Sequence, residues 1–356
     1  MGVTMAQGVA SAPVPRQDYA PQDGPSDQGS PARRGPQRRT YGAIDLGTNN
    51  CRLLIARPSE GGFTVIDAFS RIVRLGEGLS RTGELSEDAM GRAVGALSVC
   101  AEKLKRRNVS LSRSVATEAC RRAKNGREFA DRVRDETGIL LDIIEPAEEA
   151  RLAVLGCHKL LEPGDGPALI FDIGGGSTEL VLIDQDEGTP RIRAWWSAPW
   201  GVVSLTESEG KEALEGPDRI KAYERMRERA RRAFANFATM LPQNRDGIRL
   251  LGTSGTVTTL ASVHLALPSY DRRAVDGLHV PTEAMQSISA MIASMDYEER
   301  SALPCIGNER ADLVVAGCAI LEAIMEIWPA QNLGVADRGI REGILRSLMA
   351  RDGWQL

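Results

Sequence analysis

Two stretches of this sequence repeat one another, AIDLGTNNCRLLIA (Ala43 to Ala56) and IFDIGGGSTELVLI (Ile170 to Ile183). Asp45 stands against Asp172, and Gly47 against Gly174. In each copy an apolar run delivers an acid, turns at small residues and returns as a second apolar run. An acid and a glycine matched in register, with a small-residue turn in both copies, read as a duplicated domain rather than two chance hairpins. The chain must therefore place two like strand–turn–strand units in one molecule.

The surrounding pattern is α/β. Strands are expected at Gly42 to Asp45, Arg52 to Ala56, Phe63 to Phe69, Ser114 to Thr117 and Leu140 to Ile144. Helices are expected from the Ser86 cap to about Arg106, around Glu128 to Thr137, and from Pro146 to about Leu161. The turn-rich run Glu162 to Pro167 marks a boundary. A second unit follows, with strands Ala168 to Ile173, Glu179 to Ile183 and Arg249 to Leu251. Its helices are Asp218 to Met240 and one from about Thr256. The remainder reads as helical apart from the strand Leu333 to Val335. The expected organisation is a tail over 1–39, a first domain over 40–162 and a second over 167–356, with the last helix able to pack back on the first.

Residues 1–39 are rich in Pro, Gly, Ser, Gln and Ala and poor in large apolar residues. Such a segment buries too little surface to offset its ordering entropy, so disorder is expected. The whole chain carries −4, of which the tail contributes about +2. An acidic body argues against sequence-blind nucleic-acid binding but admits a local basic groove. Six scattered Cys and 3 His make a disulfide framework and a His-rich zinc site poor readings. No apolar run spans a bilayer and no signal-peptide core is present, so the expectation is a cytoplasmic protein with no membrane partner.

Chemistry concentrates in the turns. Gly47, Thr48 and Asn49 in the first copy, and Gly174, Gly175, Gly176 and Ser177 in the second, offer backbone N–H groups and side-chain donors to one anion. A third run, Gly252-Thr253-Ser254-Gly255-Thr256, lies between a strand and a helix, where N-terminal amides attract phosphate. Asp45 and Asp172 repel phosphate and make sense as holders of Mg²⁺. Glu148 and Glu149 open a helix. One of them can face a cleft and polarise water, and spacing leaves open which. Arg71, Arg74, Arg121 and Arg122 are candidates for gripping a polyanion. Trp195, Trp196 and Trp200 read as packing rather than base stacking.

In this order, AIDLGTNN, VRLGEGL, ATEACRRAKNG, EEARL, FDIGGGSTEL, GTSGTV and ADRGIREGIL resemble the exopolyphosphatase and guanosine pentaphosphate phosphatase family. The resemblance covers Tyr41 to about Met349. It implies two ribonuclease-H-like domains of the actin, hexokinase and acetate kinase superfamily around a central cleft. It further implies Glu149 as the catalytic base, Asp172 and Glu179 as Mg²⁺ or phosphate-site residues, and Asn49 and the three turns as phosphate contacts. Longer members carry a further helical domain, so the expectation is a short two-domain form. The implied activity is Mg²⁺-dependent release of orthophosphate from the end of inorganic polyphosphate. The alternative is removal of the 5′-terminal phosphate of guanosine pentaphosphate. A kinase of the same superfamily and a non-catalytic sensor are the remaining competitors. No nucleic acid is implied as a partner, and a homodimer is admitted.

Overall fold

The computed structural model describes residues 39–186 and 189–354. The expected tail lies outside the described residues except for Arg39, which pairs with Asp352 at 2.7 Å. Five strands form the first sheet: β1 (Tyr41–Leu46), β2 (Asn50–Ser59), β3 (Gly62–Ile72), β4 (Leu111–Ala116) and β5 (Leu141–Ile143). Six form the second: β6 (Ala168–Ile173), β7 (Thr178–Asp186), β8 (Thr189–Ala198), β9 (Arg249–Thr253), β10 (His279–Pro281) and β11 (Asn332–Ala336). Strand order is 3-2-1-4-5 in the first sheet and 10-11-9-6-7-8 in the second. Removing the edge strand β10 leaves the same order twice. In both copies the acid-bearing strand pairs antiparallel with the next and parallel with the fourth, β1 with β2 and β4, β6 with β7 and β9. The duplicated sequence is thus a duplicated sheet.

Sequence reasoning missed β8 and β10. β8 interrupts its apolar residues with Pro190, Arg191 and Arg193, as an edge strand can. Its Trp196 donates Nε1–H to the Ala233 carbonyl at 3.0 Å, and both Trp196 and Trp200 pack on the core. Trp195 on the same strand is instead exposed.

Helices cover the sheets. α1 (Glu87–Arg106) starts where Ser86 Oγ accepts from Ala89 N–H. Acids in its first turn and Lys103, Lys105 and Arg106 in its last match the helix dipole. Its Ala89, Ala93, Leu97 and Cys100 face the first sheet. α2 (Gly126–Thr137) stops at Gly138, in the left-handed region at φ 73°. α3 (Pro146–Cys157) begins with Pro at its first turn. α4 (Arg219–Ala238), α5 (Gly255–His264), α6 (Thr282–Ser294) and α7 (Val314–Ile327) surround the second sheet. α8 (Ile340–Arg351) lies against β1, β2 and β4 and crosses α3.

α3 is buried on two sides. Leu152 and Ala153 join Ile344, Leu345 and Leu348 of α8 under the first sheet. Ala150, Val154 and Cys157 pack on Ala168, Ile170 and Val181 of the second. The α3–α8 crossing brings backbone to backbone. A Cβ on Gly156 would lie 2.0 Å from the Gly339 carbonyl oxygen, and one on Gly343 would lie 2.0 Å from that of Leu152. Neither contact can be relieved by turning a side chain.

Gly343→Ala is therefore expected to destabilise the fold by roughly 2–3 kcal/mol. Gly95→Ala in the exposed middle of α1, where a Cβ meets nothing within 4 Å, is expected to stabilise by about 0.5–1 kcal/mol. Urea midpoints of the two variants check the contrast.

Candidate active site

The paired turns meet at one cleft. Gly47 N–H donates to Asn50 O at 2.9 Å and Gly174 N–H to Ser177 O at 2.9 Å, so both copies close in the same way. A Cβ on Gly175 would lie 2.9 Å from Thr48 Cβ, and one on Gly176 would lie 2.8 Å from Thr48 Oγ1. The second turn thus needs glycine because the first turn touches it. A cleft of about 150 Å³ lies here, lined by Asp45, Gly47, Thr48, Asn49, Glu149, Asp172, Gly174, Gly175, Gly176, Ser177, Glu179, Ser254, Gly255 and Thr256. Ser254 caps α5, its Oγ accepting from Val257 N–H, and brings the helix N-terminus to the cleft wall.

Glu149 is 6% exposed and held by one guanidinium. Arg121 Nη1 and Nη2 both donate to Glu149 Oε2 at 3.2 Å. Arg121 also donates to Ile144 O at 2.5 Å and to Glu118 Oε2 at 2.8 Å. Glu149 Oε1 has no protein hydrogen bond among the described residues. Glu148 turns the other way, to Arg113 and Arg151, each at 2.7 Å. The choice that spacing left open is therefore made by packing: Glu149 lines the cleft and Glu148 does not.

Four carboxylates crowd this space. Burial, then the charge of Glu179, raises Glu149 well above the usual carboxylate range, with Arg121 opposing and Asp172 and Asp45 adding. Asp172 is pushed up to about 8 by burial and then by Glu179 and Asp45. Glu179 rises to about 7 through burial, although Ser177 and Ser197 donate to it. Burial also raises Asp45, against the pull of Arg52.

Several expected residues lie elsewhere. Gly252 is inside β9, where a Cβ would strike the Phe171 ring at 2.5 Å, so it serves strand packing and not the cleft. Thr253 Oγ1 donates to Arg338 O and lines only a small crevice beside the cleft. Arg121, expected on a polyanion, is committed to Glu118 and Glu149. Arg71 stacks on Phe69 at 5.2 Å on the edge strand and is not on the cleft wall. Arg74 pairs with Asp312 at 3.4 Å over a neighbouring pocket, and Arg122 lines a small recess behind Thr48 and Gly176.

Two cleft cations went unread in the sequence, Arg52 and Arg310. Arg52 faces Asp45 across the β1–β2 ladder as Glu179 faces Asp172 across β6–β7. That charge inversion lies within the repeat itself, seven residues past each acid. Arg310 donates to Thr259 Oγ1 at 2.8 Å and comes from the end of a short helical turn, Gly307–Arg310, far along the chain.

The crowded acids have a consequence for stability. Each holds its proton more tightly folded than unfolded. Between about pH 4, where free carboxyls titrate, and about pH 8 the folded chain binds more protons, and stability falls as pH rises. In chelator, the urea midpoint is expected to drop from about pH 5 to about pH 8, with a shallower slope for Asp172→Asn. A midpoint that climbs over this range would contradict the arrangement.

Residues 54–352 match the model of the Ppx/GppA phosphatase family. Among similar proteins, Exopolyphosphatase 2 of Mycobacterium tuberculosis is 31% identical over 86% of this chain and 97% of its own length. A Photobacterium profundum protein named guanosine-5'-triphosphate,3'-diphosphate pyrophosphatase is 29% identical over 89% of this chain and 61% of its own. The crystal structure of an Aquifex aeolicus member of the Ppx/GppA family superposes with a TM-score of 0.72 at 31% identity, covering 89% of this chain and 99% of that one. With two ribonuclease-H-like α/β lobes closing on one acid-lined cleft, the chain belongs to the Ppx/GppA phosphatase family of phosphoanhydride hydrolases.

Proposed function

We propose that the protein is a cytoplasmic exopolyphosphatase that hydrolyses the terminal phosphoanhydride of inorganic polyphosphate. The observation that carries this reading is Glu149, a buried carboxylate with one oxygen clamped by Arg121 and the other unbonded, facing two turns rich in backbone donors. The terminal phosphoryl group lies between the Gly47–Asn49 and Gly174–Ser177 turns, whose N–H groups meet the charge developing on its oxygens. Glu149 Oε1 takes a proton from water as that water attacks phosphorus in line. The bond to the bridging oxygen breaks, the shortened chain leaves, and orthophosphate is released. Arg121 keeps Glu149 in one rotamer and lowers the cost of its charge.

The donor set fits a hard divalent cation. Asp45, Asp172 and Glu179 are acids raised by burial around one cleft, and a cation among them would relieve that crowding. Among the described residues no three His, Cys, Asp or Glu converge closely enough to hold an ion. Mg²⁺ keeps several waters and shares phosphate oxygens, so it needs no closed protein cage. Asp45, Asp172 and Glu179 are the residues that would hold it, and it supplies positive charge to the phosphoryl oxygens.

A second reading, guanosine pentaphosphate, is favoured by the adjoining pocket of about 440 Å³. Glu77, Glu207 and Asp312 line it, and Asn49 Oδ1, Thr206 Oγ1 and Asp312 Oδ1 are buried there without hydrogen bonds. Unmatched oxygens suit a donor-bearing nucleoside better than a bare polyanion. The kinase reading loses support at Gly317, which lies inside α7 and packs on Thr256 instead of forming a nucleotide turn.

Glu149→Gln is expected to lower kcat roughly 10²-fold or more with KM little changed, whereas Glu148→Gln has a small effect. Stopped-time phosphate release measures both, and near wild-type turnover for Glu149→Gln would sink the base assignment. Orthophosphate release from polyphosphate and from guanosine pentaphosphate, side by side with Mg²⁺ and with chelator, tests the substrate. A higher kcat/KM on polyphosphate and loss of activity in chelator are expected, and a preference for the nucleotide would replace the reading.

A further inference from the structure

Beside α8 lies a further pocket, of about 560 Å³, which shares no lining residue with the catalytic cleft. It sits between the β2–β3 hairpin turn and the start of the 272–276 segment. Arg272, Arg273, Arg338 and Arg346 line it, against three acids, Glu60, Asp276 and Glu342. Two of the arginines are matched. Arg338 pairs with Asp276 at 2.7 Å, and Arg272 pairs with Glu342 and Asp337, each at 3.0 Å.

Arg346 is different. It is 8% exposed, yet it makes no hydrogen bond or ion pair among the described residues, and its Nε is buried without a partner. Its guanidinium lies 5.6 Å from the Phe63 ring centroid, a contact that orients the group without satisfying its N–H donors. Burial, followed by the charge of Arg338, lowers its pKa, and Glu342 offsets this in part. A buried cation beside a second cation is costly unless an anion completes it. Arg273, exposed and also without an ion pair among the described residues, offers a second unmatched charge to the same space.

We infer that this pocket is a non-catalytic site for a phosphate-bearing anion, received by Arg346 from inside and Arg273 from the rim. Guanidinium groups present paired N–H donors that fit phosphate oxygens, and the pocket is roomy enough for more than one phosphate. Arg338 also borders a small crevice reaching Asp45, Arg52 and Asp172. The occupant is therefore either the distal stretch of a substrate chain or a free phosphoanion, and the two share one recognition chemistry.

Calorimetric titration with inorganic tripolyphosphate, using the Glu149→Gln chain to prevent turnover, tests the site. Arg346→Met, which keeps the apolar contact with Phe63, is expected to remove one binding event per chain. Arg273→Glu, on the surface and clear of the core, is expected to weaken the same event at least tenfold, and it carries the test alone should Arg346→Met fail to fold. Unchanged stoichiometry and affinity in the variants would overturn the inference. With Glu149 intact, a substrate stretch as occupant makes Arg346→Met raise KM for long polyphosphate about tenfold and leave KM for tripolyphosphate unchanged. A free phosphoanion leaves both KM values in place while the titration loss persists. Because the titration reads binding without turnover, it stands apart from the assignment of the hydrolysed substrate.

Discussion

The crossing of α3 and α8 is the contact on which the rest of the molecule depends. α3 is buried between the sheets and α8 packs between it and the first sheet, and their backbones touch where Gly156 meets Gly339 and Gly343 meets Leu152. Helices that approach this closely admit no side chain at the contact, and interiors transmit strain rather than absorb it. α3 presents Glu149 from its first turn, and the start of α8 presents Ile340 to the same cleft. A shift of the crossing would move the carboxylate relative to the two small-residue turns across the cleft. The geometry of the site is therefore set by packing well away from it.

On that frame the site is built from like charges. Asp45, Asp172, Glu179 and Glu149 would not gather in a buried space for stability's sake, since burial raises each above the usual carboxylate range. Arg121 and Arg52 oppose them only in part. Functional sites collect such perturbed groups because the ligand, with its ions, completes the charge balance. An occupant that brought cations with it would relieve this crowding of acids.

Much of this was legible in the sequence, for identifiable reasons. The duplicated Asp–Gly turns were visible because each needs an acid at a strand end and small residues after it, a demand local enough to leave a motif. The helix starts at the Ser86 cap and at Pro146 were local too. Long-range pairing left no such trace. Arg121 reads as a grip for a polyanion until the fold brings Glu149 to it. Gly252 reads as a phosphate turn until Phe171 occupies the space beside it. β8 carries Pro190 and two arginines, tolerable on an edge, and β10 is three residues long. Arg310 reaches the cleft from a one-turn helix that nothing nearby in the chain announces.

The two copies of the turn differ in one position that changes what the cleft can distinguish. Where the second copy places Glu179 opposite its aspartate, the first places Arg52. A twofold-related backbone is thereby given unlike ends, one acidic and one balanced by a fixed cation. A ligand made of identical repeating units has no intrinsic head or tail, yet such a cleft would still accept it in one sense only. Direction of reading along a uniform chain would then be a property of the protein, written into a single sign reversal between halves that otherwise repeat.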